Sequence, residues 1–300
     1  MSTAFRVILD GSQETTPVGG TGSKASGLGT VIFDDSVVTA VTASYSFTIE
    51  GLDFGLATDG LPQTPMTSDD VTRVHFHTAV AGVAGPIVFG QIDPTAALNQ
   101  DNDDLDVVLN PDHSWTVSGI WDTNDPPPSP GGVTINTFAG VLGSATPGTA
   151  VPLYFNVHSS DFPGGEIRGQ LIAIADDGDN VVEGTAGNDM LPGLGGDDNI
   201  NGGKGKDILV GGAGNDLLTG GQGLPDLFVF NAGFGKDIIT DLKNKDQIQF
   251  EAGLFPDAES VLMASKQVGN NVVITLDEDN TITLLGVKLS SLQADDFLFV

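Results

Sequence analysis

Two sets of residues in this 300-residue chain have types and spacings that could do chemistry. The first is a run of aspartates set between glycines. From Gly184 the chain reads GTAGNDMLP, from Gly193 GLGGDDNIN, from Gly202 GGKGKDILV and from Gly211 GGAGNDLLT, so Asp189, Asp198, Asp207 and Asp216 recur at every ninth residue. Glycines at the first, second and fourth positions let the backbone take positive φ and turn its carbonyls toward a common point. Carboxylate and carbonyl oxygens together suit a hard cation, since Ca²⁺ takes roughly 6 to 8 oxygens at about 2.3 to 2.6 Å. The expected calcium ligands are those four aspartates with the carbonyls of Gly193, Gly195, Gly202, Gly205, Gly211 and Gly214. The eighth residue of each copy, Leu191, Ile200, Leu209 or Leu218, is aliphatic, so each unit reads as a metal-holding turn followed by a very short strand with one inward side chain. Two units make one coil of a parallel roll, which puts Asp189 and Asp207 on one side and Asp198 and Asp216 on the other. A flexible Gly/Asp linker would share this composition but not four copies in phase. A fifth copy, GGQGLPDLF from Gly220, has one extra residue before Asp226 and breaks the phase.

The second set is His75, His77 and His158, three of the four histidines. On a strand, residues i and i+2 share a face. In VHFHT the two imidazoles therefore point one way while Val74 and Phe76 point the other, and in LYFNVHS Tyr154, Asn156 and His158 share a face. If the two strands are neighbours, three imidazoles converge, a set that suits Cu or Zn rather than Ca²⁺. The competing reading is a polar sheet face whose histidines fix strand register. Glu166 and Arg168 also share a face and read as a structural ion pair, and His113, in NPDHSW, reads as a turn residue.

The nonapeptide resembles the calcium-binding repeat of RTX (hemolysin-type) proteins. Thr185 and Leu194 depart from it by replacing the second glycine of the first two copies. The resemblance implies a parallel β-roll that folds as Ca²⁺ binds, and export by one-step type I ABC secretion machinery to the outside or the cell surface of a Gram-negative-type bacterium. The ending Asp295-Asp296-Phe297-Leu298-Phe299-Val300 is similar to the C-terminal signals of that route, and also reads as an ordinary last strand. Upstream, FRVILDGSQETTPV, RVHFHTAVAGVAGPIVF and LYFNVHSSDFPGGEIRGQLIA resemble the chordin-type (CHRD) domain over residues 4–175, which implies a β-sandwich. HFH before a Gly-rich GP segment, with a later strand ending in His and a downstream Arg, is similar to the copper strands of Cu/Zn superoxide dismutase. The bridging imidazole, the zinc cluster and the disulfide have no counterpart.

The elements that must position these residues are strands. Up to about Ala175 the chain alternates short apolar runs with Gly, Pro, Asp and Asn clusters, among them Phe5 to Leu9, Ala43 to Ile49, Val71 to His77, Ile87 to Ile92, Leu153 to His158 and Glu166 to Ile174. Eight or nine such strands without helix signals predict an antiparallel sandwich or barrel. The proline-rich DTNDPPPSPGG from Asp122 to Gly132 predicts a rigid exposed loop, because proline cannot donate to a ladder. The expected fold is all-β: an antiparallel β-sandwich over 1–176, a calcium-binding β-roll over 177–230, and a β cap with a secretion-signal-like tail over 231–300.

The charge and composition then exclude whole classes. With 40 acidic and 11 basic residues the net charge is −29, which argues against a phosphate-held nucleic-acid binder. Cysteine is absent, so there is neither a disulfide framework nor thiolate chemistry. No apolar run reaches the ~18 to 20 residues of a membrane-spanning helix, and the start lacks a secretory signal. Neither a GxSxG elbow nor HExxH occurs. The expectation is a secreted, non-catalytic calcium-binding protein with a matrix, adhesion or self-assembly role. The alternative is a copper-binding redox module, with superoxide dismutase-like activity, or a metal-sequestering one, on His75, His77 and His158. A third reading is edge-strand polymerisation into fibres.

Overall fold

The alternation of STAFRVILD and TASYSFTIE buries every second residue of two long strands, and the same pattern recurs along the N-terminal half. The computed structural model describes residues 1–15, 20–37, 40–55, 69–92, 104–125, 127, 133–243 and 245–300. Its contacts divide the chain into Met1–Ile174 and Ala175–Val300.

In the first unit the elements are β1 (Ser2–Asp10), β2 (Ser26–Asp34), β3 (Thr42–Glu50), β4 (Val71–His77), β5 (Ile87–Ile92), β6 (Asp106–Leu109), β7 (Trp115–Asp122), α1 (Ile135–Leu142), β8 (Ala150–Ser159) and β9 (Ile167–Asp176). They form one nine-stranded sheet in the order β5-β4-β8-β9-β1-β2-β3-β7-β6. Neighbouring strands run antiparallel. Although β3 and β8 are not neighbours in that order, Phe47 stacks on Phe155 with centroids 3.7 Å apart, and Tyr45 meets Phe76 edge-on at 5.7 Å. The sheet therefore curls so that its own inner faces pack, a half-barrel rather than two separate sheets. Close packing dictates Gly29, where a Cβ would fall 2.1 Å from the Phe47 ring. The helix α1, not expected from the sequence, buries Ile135, Phe138 and Leu142, and Phe138 packs against Trp121 at 5.6 Å. Of the proline-rich loop, Pro126 and residues 128–132 lie outside the described residues, and Asp125 at its start is buried rather than exposed.

In the second unit the strands are β10 (Val181–Glu183), β11 (Met190–Pro192), β12 (Asn199–Asn201), β13 (Lys204–Gly205), β14 (Ile208–Val210), β15 (Leu217–Thr219), β16 (Gln222–Gly223), β17 (Leu227–Phe230), β18 (Lys236–Ile239) and β19 (Gln247–Phe250). They are followed by α2 (Ala258–Met263), β20 (Ser265–Val268), β21 (Asn271–Thr275), β22 (Thr281–Leu284) and β23 (Phe297–Phe299). The main strands sort alternately into a sheet β10-β12-β15-β18-β22-β21-β20 and a sheet β11-β14-β17-β19-β23. This is a parallel solenoid. Val182 pairs with Ile200 and Ile200 with Leu218 on one side, Leu191 with Leu209 and Leu209 with Phe228 on the other. These side chains are at most 1% exposed and form the apolar spine. Parallel pairing continues beyond Phe230, through β18 on β15 and β19 on β17, so the coil runs on into the segment expected to be a cap. The apolar tail is a strand there, β23 pairing parallel with β19.

Candidate metal centres

Each aspartate of the roll lies just before a short strand, and the tight turn preceding it draws its side chain inward. The carboxylates form two ladders. Asp207 Oδ1 accepts from the Asp189 N–H at 2.9 Å, Asp226 Oδ1 from the Asp207 N–H at 2.9 Å and Asp246 Oδ1 from the Asp226 N–H at 3.0 Å. On the other side Asp198 Oδ1 accepts from Asn180 at 2.7 Å, Asp216 Oδ1 from Asp198 at 2.8 Å and Asp237 Oδ1 from Asp216 at 2.8 Å. In Asp198, Asp207, Asp216 and Asp237 the second oxygen, Oδ2, is buried with no hydrogen-bond partner.

The first glycine of the second, third and fourth copies lines the space beside that second oxygen. A Cβ at Gly193 would lie 2.2 Å from Asp198 Oδ2, at Gly202 2.6 Å from Asp207 Oδ2, and at Gly211 2.2 Å from Asp216 Oδ2. The left-handed φ falls at the second and fourth positions, on Gly203 and Gly205, Gly212 and Gly214. In the second copy Leu194 carries φ 77 where the third and fourth copies have glycines, and the fourth-position turn is at Gly196 rather than its neighbour Gly195. Gly195 instead bridges to Ala213 one coil on.

Burial pushes the carboxyls of Asp198 and Asp207 up to about 7, against the pull of the backbone N–H each accepts, with neighbouring aspartates pushing further. Asp237 is pushed up to about 8 by the same causes, and Asp216 and Asp226 are raised as well. Buried oxygens of a hard donor, missing a partner in Asp198, Asp207, Asp216 and Asp237 and next to a side-chain-free wall in the first three, fit a calcium ion. The inserted residue of the fifth copy does not remove Asp226 from its ladder, and Asp237 and Asp246 extend the ladders beyond the repeat. These two lie outside the nine-residue phase and so were not among the expected ligands, although Asp237-Ile238-Ile239 and Asp246-Gln247-Ile248 keep the Asp-x-aliphatic signature.

In the first unit β4 and β8 are neighbours, with His75 opposite Asn156 and His77 opposite Tyr154. Register shifts in the β4–β5 pairing on either side of His75 and Phe76 re-aim these side chains. One nitrogen from each of His75, His77 and His158 lies within 4.8 Å of the others, and all three residues are buried. His77 Nδ1 faces Gly85 O at 2.9 Å and His158 Nδ1 faces Pro163 O at 3.0 Å. Burial pushes the His77 imidazole down to about 4; the Gly85 hydrogen bond opposes this, and the electrostatic influence of His158 and Arg168 adds to it.

The ion pair expected between Glu166 and Arg168 does not form, because each finds another partner. Glu166 Oε1 accepts from Ser23 Oγ at 2.5 Å, while Arg168 donates through Nη1 to Val83 O at 3.2 Å and lies 3.5 Å over the Tyr154 ring. The charge that Arg168 faces is Glu14, whose carboxyl burial pushes up to about 7 against the pull of that guanidinium. Glu14 was not identifiable from the sequence because it is brought in by the segment after β1 rather than by a motif.

Residues 5–171 match the CHRD domain, and residues 174–209 and 192–223 match the RTX calcium-binding nonapeptide repeat. No curated protein matches the chain significantly. Among solved structures it is similar to the extracellular lipase LipA of Serratia marcescens, with 23% identity over 50% of this chain and 25% of that one, and a TM-score of 0.36. It is also similar to the AlgE6R3 subunit of the Azotobacter vinelandii mannuronan C5-epimerase, with 29% identity, 41% and 78% coverage and a TM-score of 0.33. The AlgE6R2 subunit of the same epimerase matches at 27% identity, 42% and 91% coverage and a TM-score of 0.33. The chain spans about a quarter of the lipase's length.

Proposed function

The chain belongs to the CHRD-domain family, and from that membership and its RTX calcium-binding repeats we propose that it is a secreted, non-catalytic calcium-binding protein of the cell surface or extracellular matrix. In this reading its roll closes on Ca²⁺ after export by the type I route, and its CHRD domain is the part presented for adhesion or assembly. The observation that carries the proposal is the pair of aspartate ladders, in which Asp198, Asp207, Asp216 and Asp237 each keep one buried oxygen without a partner. Desolvating an unpaired ion costs several kcal/mol, and no basic side chain forms an ion pair with these four among the described residues. A divalent cation supplies the missing positive charge. The ligands would be the ladder aspartates, Asp189 included, with turn carbonyls from Gly193, Gly195, Gly202, Gly205, Gly211 and Gly214.

Because the turns and carboxylates gather only in the folded coil, binding free energy becomes folding free energy. In a calcium-poor cytoplasm the roll stays loose, which suits passage through an export channel; outside it closes. The test is calorimetric titration of the chelator-treated chain with CaCl₂, followed by far-ultraviolet circular dichroism. Binding heat and a gain in β signal are expected. No heat, or a spectrum that chelation leaves unchanged, overturns the proposal.

A further inference from the structure

The outer face of β4 and β8 carries chemistry that the calcium reading leaves unused. We propose that His75, His77 and His158 form a second metal centre, which takes one late first-row divalent ion, copper or zinc, through three neutral imidazoles. Their nitrogens converge within 4.8 Å, and among the described residues no carboxylate joins the cluster. An all-imidazole set suits copper or zinc and is poor for Ca²⁺.

The hydrogen bonds fix which ring nitrogen carries the proton. A ring nitrogen facing a carbonyl must carry the proton, so the contacts of His77 Nδ1 with Gly85 O and of His158 Nδ1 with Pro163 O leave the lone pair of each ring on Nε2. Backbone carbonyls that hold the far nitrogen of a ligating histidine are the usual outer shell of a metal site. His77 Nε2 is buried without a hydrogen-bond partner. Histidines that merely fixed strand register would hydrogen-bond to the facing strand. Here the Nδ1 atoms of His77 and His158 instead reach two loops, and the three rings pack with centroids 5.2 to 6.2 Å apart.

The loop that holds His77 is itself pinned. Gly85 N–H donates to the Tyr154 hydroxyl at 3.2 Å, Arg168 donates to Val83 O and Gln170 Nε2 donates to Ala79 O at 3.0 Å. A side chain at position 85 is barred, since a Cβ on Gly85 would lie 1.8 Å from Thr78 O. A cavity of about 420 Å³, lined by Glu14, Ala81, Gly82, Arg168 and Gln170 among others, opens beside this loop.

The experiment uses the full chain in millimolar CaCl₂, so that calcium competes for the carboxylates, titrated with ZnCl₂ against a chromogenic chelator. One equivalent of zinc is expected in the wild type. His77→Ala should weaken binding ~100-fold or more, since loss of a ligand exceeds the 10- to 100-fold of an outer-shell change. His113→Ala, at an exposed turn, should leave it unchanged. Failure of the wild type to bind, or unchanged affinity in a folded His77→Ala chain, overturns the site. If His77→Ala does not fold, as judged by the near-ultraviolet signal of Trp115 and Trp121, the wild type loaded with one equivalent of Cu(II) decides by electron paramagnetic resonance. Nitrogen splitting supports the site, and oxygen-only ligation overturns it. Neither result bears on the calcium titration, so the two proposals fail separately.

Discussion

Asp207 performs two tasks with one carboxylate: Oδ1 accepts the Asp189 N–H and closes the coil, while Oδ2 is left buried and unpartnered. Asparagine at this position keeps the acceptor and removes the charge, so Asp207→Asn separates the tasks. In chelator the variant should melt above the wild type, because an unpaired buried charge has gone. In calcium it should melt below it, with affinity reduced roughly 10- to 100-fold for a lost charged contact of about 1.5 to 3 kcal/mol. Thermal melts with and without CaCl₂ check this, and an Asp207→Asn chain that is less stable under both conditions contradicts it. At Leu194 the left-handed φ of 77 is imposed by the coil on a residue that pays about 1 to 2 kcal/mol for it. The substitution was visible in the sequence; that the coil would hold it in the glycine conformation was not. The ladder positions of Asp226, Asp237 and Asp246 were similarly hidden, because their spacings of 19, 21 and 20 residues break the 18-residue step that made the other four visible.

At the scale of elements, the coil stands on turns that leave no room for side chains. Gly214 combines φ 141 with a position where a Cβ would lie 1.9 Å from Gly196 O in the coil below. Gly214→Ala should cost about 2 to 4 kcal/mol, the range of strained-backbone and packing defects, read as a lowered melting point of the calcium-loaded roll. The ladders also set a pH dependence in chelator. Asp198 and Asp207 titrate near 7 and Asp237 near 8 in the folded coil, against 3.8 as the ordinary value. Between about pH 4 and 8 the folded state therefore binds more protons than the unfolded one, and stability falls as pH rises. The urea midpoint of chelated protein should be higher at pH 5 than at pH 7.5; the reverse order would show that these carboxyls are not buried in the metal-free fold. In the first unit the strands were legible from alternation and β4 and β5 from their full extent, whereas α1 was not. Its INTFAGVL contains β-branched residues and glycine, and burial of Ile135, Phe138 and Leu142, with Phe138 on Trp121, favours the helix over that local preference.

For the whole molecule, both tryptophans, Trp115 and Trp121, lie in the unit Met1–Ile174, while the aspartate ladders lie in Ala175–Val300. The aromatic core of the first unit contains no calcium ladder, so chelation should reduce the β signal and the melting point of the second unit while leaving tryptophan fluorescence and near-ultraviolet dichroism in place. A tryptophan signal lost together with the roll would show that the units unfold as one. The sequence by itself determined the all-β character, the phase of the nonapeptide and the inward face of each short strand, because glycine spacing and period-two alternation act locally. Only the tertiary structure decided that the N-terminal strands form one curled sheet, that the ladders run on to Asp246, and that Arg168 holds a loop rather than pairing with Glu166. Those outcomes depend on strands and loops far apart in the chain competing for the same buried partners, and no local pattern records which of them wins.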